Sequence, residues 1–496
     1  MEFDRDVFYR IIEARDARFD GKFFTAVTTT GIYCRPICAA RTPKPENVTF
    51  FFCAASAEAA GFRPCKKCRP ETAPGTPAWN GTSTTVTTAL RLVGSGFLDE
   101  HSVKQLADRL GLGERHVRRL FVEHVGVAPN AIAQSRRAHL AACILRDTEL
   151  LVAYVALSAG FGSIRQFNAV FRSIFGEPPR AFRKRGRFSR GASSARSASA
   201  ASARQLITLS LAYRPPLPWE HLILFLAKRA ISGVEEVEQE SYRRSISLGR
   251  ATGTLEVRPS KTGKNELAVS LSGMEPAVLG RAVRRIRRMF DLDADPLAIA
   301  NHLSRDERLA PLVSGVPGMR LPLTWDPFEA VVRAVLGQQI SVAGAVTIAG
   351  RIAERHGRRI DGGGTITRVF PTASDISRAD FSGIGMPVSR ARCLTEVARA
   401  VVGKKLRLDG SEQPRKVESD LRCIPGIGPW SAQYVALRGL GEPDAFPESD
   451  LGIVKALDAL GYPADRSQRK EMTDHLAPWR GYAALYFWHS LARGGY

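Results

Sequence analysis

The chain has 496 residues, of which 44% are hydrophobic, a composition typical of a globular protein with several domains. Its formal net charge of +22 predicts a polyanionic partner, for which nucleic acid is the commonest choice. No run of about 18 apolar residues occurs, which excludes a membrane-spanning chain. The acidic, polar start predicts no signal peptide and hence a cytoplasmic protein, in which cysteines are thiols or metal ligands.

Composition divides the chain into five parts and predicts a multidomain α+β protein. Prolines and glycines from Pro70 to Gly81 indicate a linker, and residues 84–184 have helical patterning throughout. Residues 185–205 are mostly Arg, Ser, Ala and Gly, which cannot bury a core, so they predict a flexible basic linker. Helical periodicity dominates again from about Pro276 to the end. Between the basic linker and this last helical region, strands are predicted at Leu206–Leu211, Thr254–Arg258 and Leu267–Leu271.

Four cysteines form two close pairs near the start of the chain. Three residues separate Cys34 from Cys38, two separate Cys65 from Cys68, and 26 residues lie between the pairs. This spacing is typical of a zinc site with four thiolate ligands. On spacing alone the site is either structural or reactive, because zinc keeps a thiolate deprotonated at neutral pH. The remaining cysteines are predicted to be buried apolar residues, namely Cys53, Cys143, Cys393 and Cys423.

The segments 28–38, 45–48 and 60–70 resemble the N-terminal domain of the Ada regulatory protein, over residues 1–75. The resemblance implies that Cys34 irreversibly accepts a methyl group from a DNA methylphosphotriester. The other three zinc ligands are then Cys38, Cys65 and Cys68. The implied contacts to the DNA backbone are Thr30, Arg41 and Arg63. Ala39 stands where the family has a further arginine, so weaker phosphate binding is expected.

Two helical units follow within residues 84–184. The segment Val103–Phe121 predicts a helix, a glycine turn and a second helix, and a similar unit runs from Val152 to Phe175. The paired units and the Gly160-Phe161 step resemble the AraC-type DNA-binding domain, an all-α fold with two helix-turn-helix motifs. The second helix of each unit would enter the major groove, whereas the plainer alternative is a solvated charged face. The candidate DNA contacts are Arg118, Arg119, Ser163, Arg165 and Gln166.

A glycine-rich hairpin and a downstream carboxylate mark the C-terminal half. The turn Pro425–Gly428 joins two predicted helices, and the backbone at Gly426 and Gly428 can approach a phosphate. Asp450 follows 20 residues after Trp430, at a predicted helix start where the helix dipole favours negative charge. Taken singly, each feature has a plainer explanation, the hairpin as a helix connection and the carboxylate as a helix cap.

Together the hairpin and the aspartate form the helix–hairpin–helix glycosylase pattern, and residues 206–496 resemble AlkA, the 3-methyladenine DNA glycosylase II. The likeness includes the steps Tyr213-Arg-Pro-Pro, Arg320-Leu-Pro and Pro478-Trp-Arg. It implies a TATA-binding-protein-like α/β subdomain over residues 206–290. An all-α helix–hairpin–helix glycosylase core is implied over residues 291–496.

The same resemblance makes Asp450 the catalytic carboxylate. Trp430 stands where bifunctional relatives carry a Schiff-base lysine, so hydrolysis without a lyase step is implied. Gln339 occupies the position of the wedge that fills the vacated base stack, usually an apolar residue, so the wedge remains open between it and Ile340. The resemblance also implies an aromatic pocket for the base, formed by Trp430, Tyr434 and Trp488. For each ring alone, packing in the core is the alternative.

The sequence thus predicts a fusion that senses methylphosphotriesters, binds promoters and excises alkylated purines such as 3-methyladenine and 7-methylguanine. A Pro-Cys-His-Arg motif is absent, so direct reversal of O6-methylguanine is not expected. The alternative is a methylation-responsive transcription regulator whose glycosylase-like half only binds DNA. The expected partners are double-stranded DNA, one Zn²⁺ ion and RNA polymerase, with no membrane, in the nucleoid of a bacterial cytoplasm.

Overall fold

The computed structural model describes residues 5–74, 84–188, 206–361, 364–410, 412–463 and 465–493. These residues belong to two compact units, and the domain boundaries predicted from the sequence stay predictions. The first unit comprises residues 1–215, 260–287 and 292–294, and the second comprises 216–259, 288–291 and 295–496. Both predicted linkers fall largely outside the described residues, at 75–83 and 189–205. Within the described part of the chain, no helix is both long and apolar enough to cross a membrane.

The first unit begins with a small four-stranded sheet. Its elements are α1 (Arg5–Ala14), β1 (Phe24–Val27), β2 (Ile32–Cys34), β3 (Val48–Phe51), α2 (Ala54–Ala59) and β4 (Arg63–Pro64). The strand order is β3-β1-β2-β4, antiparallel except for the parallel pair β2 and β4. Two small apolar clusters of the described residues support the sheet. Their buried members are Ile12, Phe23, Val48 and Phe50 in one, and Phe24, Ala26, Tyr33 and Ala57 in the other.

Eight helices follow, and no strand occurs within the described residues 84–188, as predicted. They are α3 (Thr84–Gly94), α4 (Phe97–Glu100), α5 (Val103–Leu110), α6 (Glu114–Val125), α7 (Pro129–Asp147), α8 (Val152–Ser158), α9 (Ile164–Phe175) and α10 (Pro179–Phe188). Ser102 and Gln105 cap α5 reciprocally, and Gly111 ends it with a φ of 69°, a conformation that favours glycine. The helix-turn-helix geometry of α5 and α6 therefore follows from local sequence signals.

Five strands lie between residues 206 and 272: β5 (Ile207–Ala212), β6 (Glu235–Glu238), β7 (Ser241–Leu248), β8 (Ala251–Pro259) and β9 (Glu266–Ser272). In the first unit β5 pairs antiparallel with β9, from Ile207 opposite Leu271 to Ala212 opposite Glu266. In the second unit β6, β7 and β8 form an antiparallel meander. The predicted strands correspond to β5, β8 and β9.

The sequence did not indicate β6 and β7, because charged residues occupy buried positions there. Arg244 of β7 is 1% exposed and pairs with Glu235 at 3.3 Å and with Glu329 at 2.8 Å. Arg333 joins the same carboxylates at 2.5 and 2.8 Å. A hydrophobicity pattern predicts that charged residues lie on the surface. It therefore fails for these paired ions, which lie in the interior.

Helices make up most of the remaining chain. They are α11 (Trp219–Ala227), α12 (Leu279–Met289), α13 (Pro296–Leu303), α14 (Ala310–Gly315), α15 (Pro327–Leu336), α16 (Val342–His356), α17 (Ala373–Ile376), α18 (Val388–Val402), α19 (Pro414–Arg422), α20 (Pro429–Val435), α21 (Leu451–Ala459), α22 (Arg466–Asp474) and α23 (Arg480–Arg493). A π-helical turn over Ala436–Leu440 continues α20. In the second unit, α15 packs against α20, and α21 packs against α23. These contacts position the residues of the candidate active site.

Candidate metal centre and candidate active site

The four predicted cysteine ligands come together in the first unit. The Sγ atoms of Cys34, Cys38, Cys65 and Cys68 all lie within 4.8 Å of one another. Four thiolates at about 2.3 Å from a zinc ion would be about 3.8 Å apart, so the donor set fits tetrahedral zinc. The parallel pairing of β2 with β4 brings the two cysteine pairs together, because Cys65 N–H donates to the carbonyl of Tyr33 at 2.9 Å. The cluster is therefore a zinc site.

Arg35 ties the two cysteine pairs to each other. Its backbone N–H lies 3.3 Å from the Sγ of Cys68, and its buried guanidinium donates to the Cys68 carbonyl at 3.2 Å. The same guanidinium donates to Thr72 at 2.6 Å and pairs with Asp20 through both carboxylate oxygens. An N–H donor to a zinc thiolate stabilises the negative charge on that sulfur. Arg35 was missed by sequence reasoning because its side chain contacts residues distant along the chain.

In the zinc-binding domain, three residues are predicted to contact the DNA backbone. All three are exposed, namely Thr30, Arg41 and Arg63. Lys66 and Lys67, between the second pair of cysteines, are exposed as well. The Nζ of Lys67 donates to the carbonyl of Ala39 at 3.0 Å. A positive charge therefore lies beside the position where the family arginine is missing.

The outer faces of α6 and α9 carry the predicted DNA-reading side chains. Arg118, Arg119, Arg165 and Gln166 are exposed. Arg118 pairs with Glu114 one turn earlier, at 2.7 Å, whereas Ser163 caps α9 by accepting from the backbone of Gln166 at 3.1 Å. The inner residues of the first unit pack as predicted, with Leu106, Ala107, Val117 and Phe121 buried and with Leu110 and Leu120 half-buried.

Asp450 of the second unit accepts four hydrogen bonds. As the N-cap of α21, its Oδ1 accepts from the backbone of Gly452 at 2.9 Å and of Ile453 at 3.1 Å. The indole N–H of Trp488 also donates to Oδ1 at 2.8 Å, and that of Trp430 donates to Oδ2 at 2.9 Å. The carboxylate is therefore both a helix cap and the centre of a polar cluster, so the two interpretations of the sequence are compatible.

The three aromatic residues predicted to line a base pocket lie close to one another, and two of them contact this carboxylate. The centroids of Trp430 and Tyr434 are 5.4 Å apart and nearly parallel, at 29°, and Tyr434 lies 6.4 Å from Trp488. All three rings are half-buried, and Tyr434 also packs against the hydrophobic core of the second unit. Gly452 gives Trp488 access to Asp450, since a Cβ there would lie 3.2 Å from Trp488 Cδ1 and 3.1 Å from Asp450 Oδ1. No pattern in the sequence indicated a role for this glycine.

Arg229 is a further charged group of this site that the sequence did not indicate. Its guanidinium stacks on the ring of Phe225 at 3.8 Å, donates to the carbonyl of Phe225 at 3.3 Å and interacts electrostatically with Tyr434. Burial lowers the pKa of Arg229, and the nearby charge of Asp450 partly opposes that shift. Because α11 and α20 are distant in sequence, only the tertiary structure brings Arg229 to the aromatic cluster.

The predicted hairpin is held by a glutamine from the end of α15. The amide of Gln338 donates to the carbonyl of Gly426 at 2.8 Å and to Ser431 at 2.9 Å. Gly426 has a φ of 93°, and a Cβ there would lie 3.1 Å from the Sγ of Cys393, so glycine is required. Gly428, half-buried, is the N-cap of α20.

The neighbouring Gln339 is exposed and has a left-handed backbone, with a φ of 55°. Such a conformation is uncommon outside glycine and often occurs at functional sites. Ile340 beside it is also exposed.

The remaining cysteines differ from one another in burial. Cys53 and Cys393 are buried as predicted, and Cys143 is half-buried. The prediction of burial was wrong for Cys423, which is exposed. It is the cap residue that ends α19, just before the hairpin, where the chain turns outward.

Four family models match consecutive parts of the chain. They are the metal binding domain of Ada over residues 7–71, a helix-turn-helix domain over 106–185, the AlkA N-terminal domain over 208–326 and the HhH-GPD superfamily of base excision DNA repair proteins over 332–480. A 3-methyladenine DNA glycosylase structure from Archaeoglobus fulgidus shares the fold, with a TM-score of 0.52 and 22% identity over 58% of this chain and 99% of that chain.

Several curated proteins are similar to this chain. A DNA-3-methyladenine glycosylase 2 of Escherichia coli is 34% identical over 57% of this chain and 96% of its own length. The bifunctional transcriptional activator/DNA repair enzyme Ada of Escherichia coli is 36% identical over 36% of this chain and 49% of its own length. A probable bifunctional transcriptional activator/DNA repair enzyme AlkA of Mycobacterium tuberculosis is 40% identical over 99% of this chain and 97% of its own length. The chain therefore belongs to the family of bifunctional transcriptional activators and DNA repair enzymes of the AlkA type.

Proposed function

We propose that the chain acts on alkylated DNA at two sites, with Cys34 as a methyl acceptor and Asp450 as the carboxylate of a monofunctional glycosylase. The observation that carries the second assignment is the carboxylate held by two indoles beside half-buried aromatic rings. A site of this kind can receive a flat cationic base and stabilise positive charge that develops next to it.

The proposed glycosylase substrates are alkylated purines of the 3-methyladenine and 7-methylguanine type. The damaged nucleotide is flipped from the duplex, and its cationic base stacks against Trp430 and Tyr434. The bond between C1′ and the base nitrogen breaks, and its electron pair stays on the base. Asp450 stabilises the resulting oxocarbenium ion, and water adds to C1′ and loses a proton. Trp430 has no amine for a Schiff base, which supports hydrolysis without a lyase step.

An excision assay with methylated DNA tests this proposal. The wild-type chain is expected to release 3-methyladenine, and Asp450→Asn is expected to reduce the rate by about 100-fold or more, because the charge opposite the cation is lost. Asp458→Asn makes the same change on the same helix, away from the cluster, and serves as the control.

Two results of that assay would contradict the proposal. Equal release by wild type and Asp450→Asn would remove the carboxylate from catalysis. Release by neither protein would favour the alternative, a methylation-responsive regulator whose glycosylase-like half only binds DNA.

For the first site, the Cys34 thiolate attacks the methyl carbon of a neutral methylphosphotriester. The S–C bond forms as the C–O bond breaks, and the electron pair leaves on the oxygen of the phosphodiester anion. When bound, zinc keeps the thiolate deprotonated. The thioether product is stable, so the transfer happens once per molecule. The site loses one negative charge, which reduces its repulsion from DNA phosphates and favours promoter binding.

Mass spectrometry after incubation with methylated DNA tests the methyl acceptor. Cys34→Ala is expected to abolish the gain of a methyl group, whereas Cys423→Ala, at an exposed cysteine that is not part of the cluster, is expected to retain it. Methyl uptake that persists in Cys34→Ala would exclude Cys34 as the nucleophile.

The proposed DNA contacts lie in all the DNA-binding parts of the chain. Backbone contacts are assigned to Thr30, Arg41 and Arg63, and groove contacts to Arg118, Arg119, Arg165 and Gln166. In the glycosylase half, the hairpin at Gly426 and Gly428 binds a phosphate, and Gln339, which is exposed and has a left-handed backbone, is the proposed wedge. An activator bound at a promoter is expected to contact RNA polymerase and to be found at the nucleoid.

A further inference from the structure

We propose that the regulatory half of the chain, residues 5–188, docks directly on the first segment of the glycosylase half. That segment, here called the β5–β9 segment, consists of residues 206–215 and 260–287, and it lies largely within the match to the AlkA N-terminal domain. The two halves would then share a built interface instead of being joined by the intervening linker alone. Three sets of contacts, all within the first unit, carry this inference.

A buried carboxylate shared by arginines from both sides forms the first contact. The side chain of Asp99 is 4% exposed and pairs with Arg136 at 2.5 Å and Arg137 at 2.8 Å, both from α7. Arg284 of α12, in the β5–β9 segment, lies 3.0 Å from the other carboxylate oxygen. Burial opposes the ionisation of Asp99, but the arginines outweigh it and lower the pKa of Asp99. The buried carboxylate of Asp99 therefore forms ion pairs with arginines from both halves of the chain.

Glycines shape the same interface. A Cβ on Gly96, where φ is 93°, would lie 2.6 Å from the Nε of Arg284, so the arginine side chain passes directly against this glycine. A Cβ on Gly280 of α12 would overlap the backbone carbonyl oxygen of Ser158 at the end of α8. The hydroxyl of Ser158 also donates to the carbonyl of Pro276. Such close backbone approach is typical of a packed interface and not of a chance surface contact.

The third contact involves the zinc-binding domain. A Cβ on Gly21 would lie 3.2 Å from the guanidinium of Arg214, which follows β5. Arg214 is fully buried and donates to the carbonyls of Asp293 at 2.7 Å and Ala294 at 3.1 Å. Both domains of the regulatory half therefore meet the β5–β9 segment.

The docked arrangement leaves the functional surfaces of the regulatory half open. The candidate DNA-reading residues Arg118, Arg119, Arg165 and Gln166 are exposed in it, and Cys34 is only half-buried. Docking is therefore compatible with DNA binding and methyl transfer, and it does not mask either surface.

Hydrogen–deuterium exchange on the full chain tests the interface through reciprocal effects. Asp99→Asn changes the regulatory half, and the measurement is made on the amides of α12. Gly280→Leu changes the β5–β9 segment, and the measurement is made on the amides of α8. Each substitution is expected to raise exchange several-fold on the opposite side. Gly94→Leu adds the same bulk at an exposed glycine with open space around it and is expected to change neither.

The outcomes separate docking from local damage. A substitution that merely disturbs its own domain raises exchange only around itself. Changes confined to the mutated half in both variants would overturn the proposal, whereas a rise on the opposite side in both would support it. A one-sided rise would also overturn the proposal, because a shared interface must respond from both directions.

Discussion

At the scale of single residues, Asp450 shows how a helix cap can also be placed for chemistry. Two backbone amides of α21 and the indole of Trp488 share Oδ1, whereas Trp430 alone occupies Oδ2. None of these four donors carries a charge, so the carboxylate is oriented without being neutralised by a salt bridge. The oriented carboxylate can therefore face a cation in the pocket.

Trp488→Phe tests the orienting role of the indole. The substitution keeps an aromatic ring but removes the N–H donor to Asp450, and a hydrogen bond to a charged group contributes about 1.5–3 kcal/mol. If that contribution is made in the transition state, excision slows by roughly 10- to 100-fold. Single-turnover rates with methylated DNA measure the effect.

The matched control for Trp488→Phe is Trp219→Phe, whose indole donates to the carbonyl of Glu240 at 2.8 Å in the same unit. It removes a buried indole donor without touching the cluster, so its rate per folded molecule is expected to equal that of wild type. An equal slowing in both variants would show that Trp488 acts through stability alone.

At the same scale, residue type and spacing identified the functional side chains only where these lie close together in sequence. The cysteine pairs were predictable because each pair occupies one tight turn. Arg35, Arg229 and Gly452 were not, because their roles depend on atoms contributed by distant parts of the chain.

At the scale of elements, α7 of the helical domain makes contact with the zinc-binding domain. Its His139 lies 2.9 Å from Glu58 of α2, and the hydroxyl of Tyr33, next to Cys34, donates to the same carboxylate at 2.8 Å. Burial disfavours the charged imidazole, but Glu58, with Glu71 contributing, outweighs it and raises the pKa of His139. A buried charge pair therefore crosses the contact between the two domains.

This pair predicts a pH-dependent stability. A raised histidine pKa means that the folded state holds the proton more tightly than the unfolded state, in which the pKa is about 6.5. The stabilisation is therefore complete below pH 6.5 and decreases as the pH rises through the higher pKa of the folded state. Thermal unfolding followed between about pH 5.5 and 8.5 measures it.

His139→Gln provides the comparison for that pH series. Glutamine can still donate a hydrogen bond to Glu58 but cannot titrate, so the decrease on going from acid to neutral pH should become smaller than in wild type. An unchanged profile would show that other groups cause the pH dependence.

Elements also differ in how far the sequence predicted them. Helices α5, α6, α8 and α9 follow from apolar periodicity and glycine turns, which act within a few residues. Strand β7 does not, because Tyr242 and Arg244 fill buried positions where their polar atoms pair with Glu235 and Glu329 from other elements.

At the scale of the whole molecule, the two proposed activities depend on different stabilising features. The two clusters described in the zinc-binding domain are small, so binding of zinc by the four thiolates is expected to contribute to its folding. The glycosylase site lies in the second unit, around a large core of buried aliphatic side chains. Metal removal should therefore separate the activities.

Treatment with a zinc chelator is expected to abolish methyl uptake and to leave excision of 3-methyladenine nearly unchanged. Both activities are measured on one chelated sample of the full chain, and zinc is added back to restore methyl uptake. Parallel loss of both activities would show that the glycosylase site depends on the metal.

The sequence by itself determined the order of the domains, the zinc ligands, the helix-turn-helix units and the position of the candidate catalytic aspartate. The zinc ligands and helix-turn-helix units depend on short-range patterns, because turns, caps and metal-binding pairs are specified within a few residues, whereas the role of Asp450 was implied by the family resemblance. Only the tertiary structure decided that Asp450 is held by two indoles, that Arg229 reaches the aromatic cluster and that Asp99 is shared with Arg284. These contacts join residues far apart in the chain, and the burial that strengthens them exists only after the chain has folded.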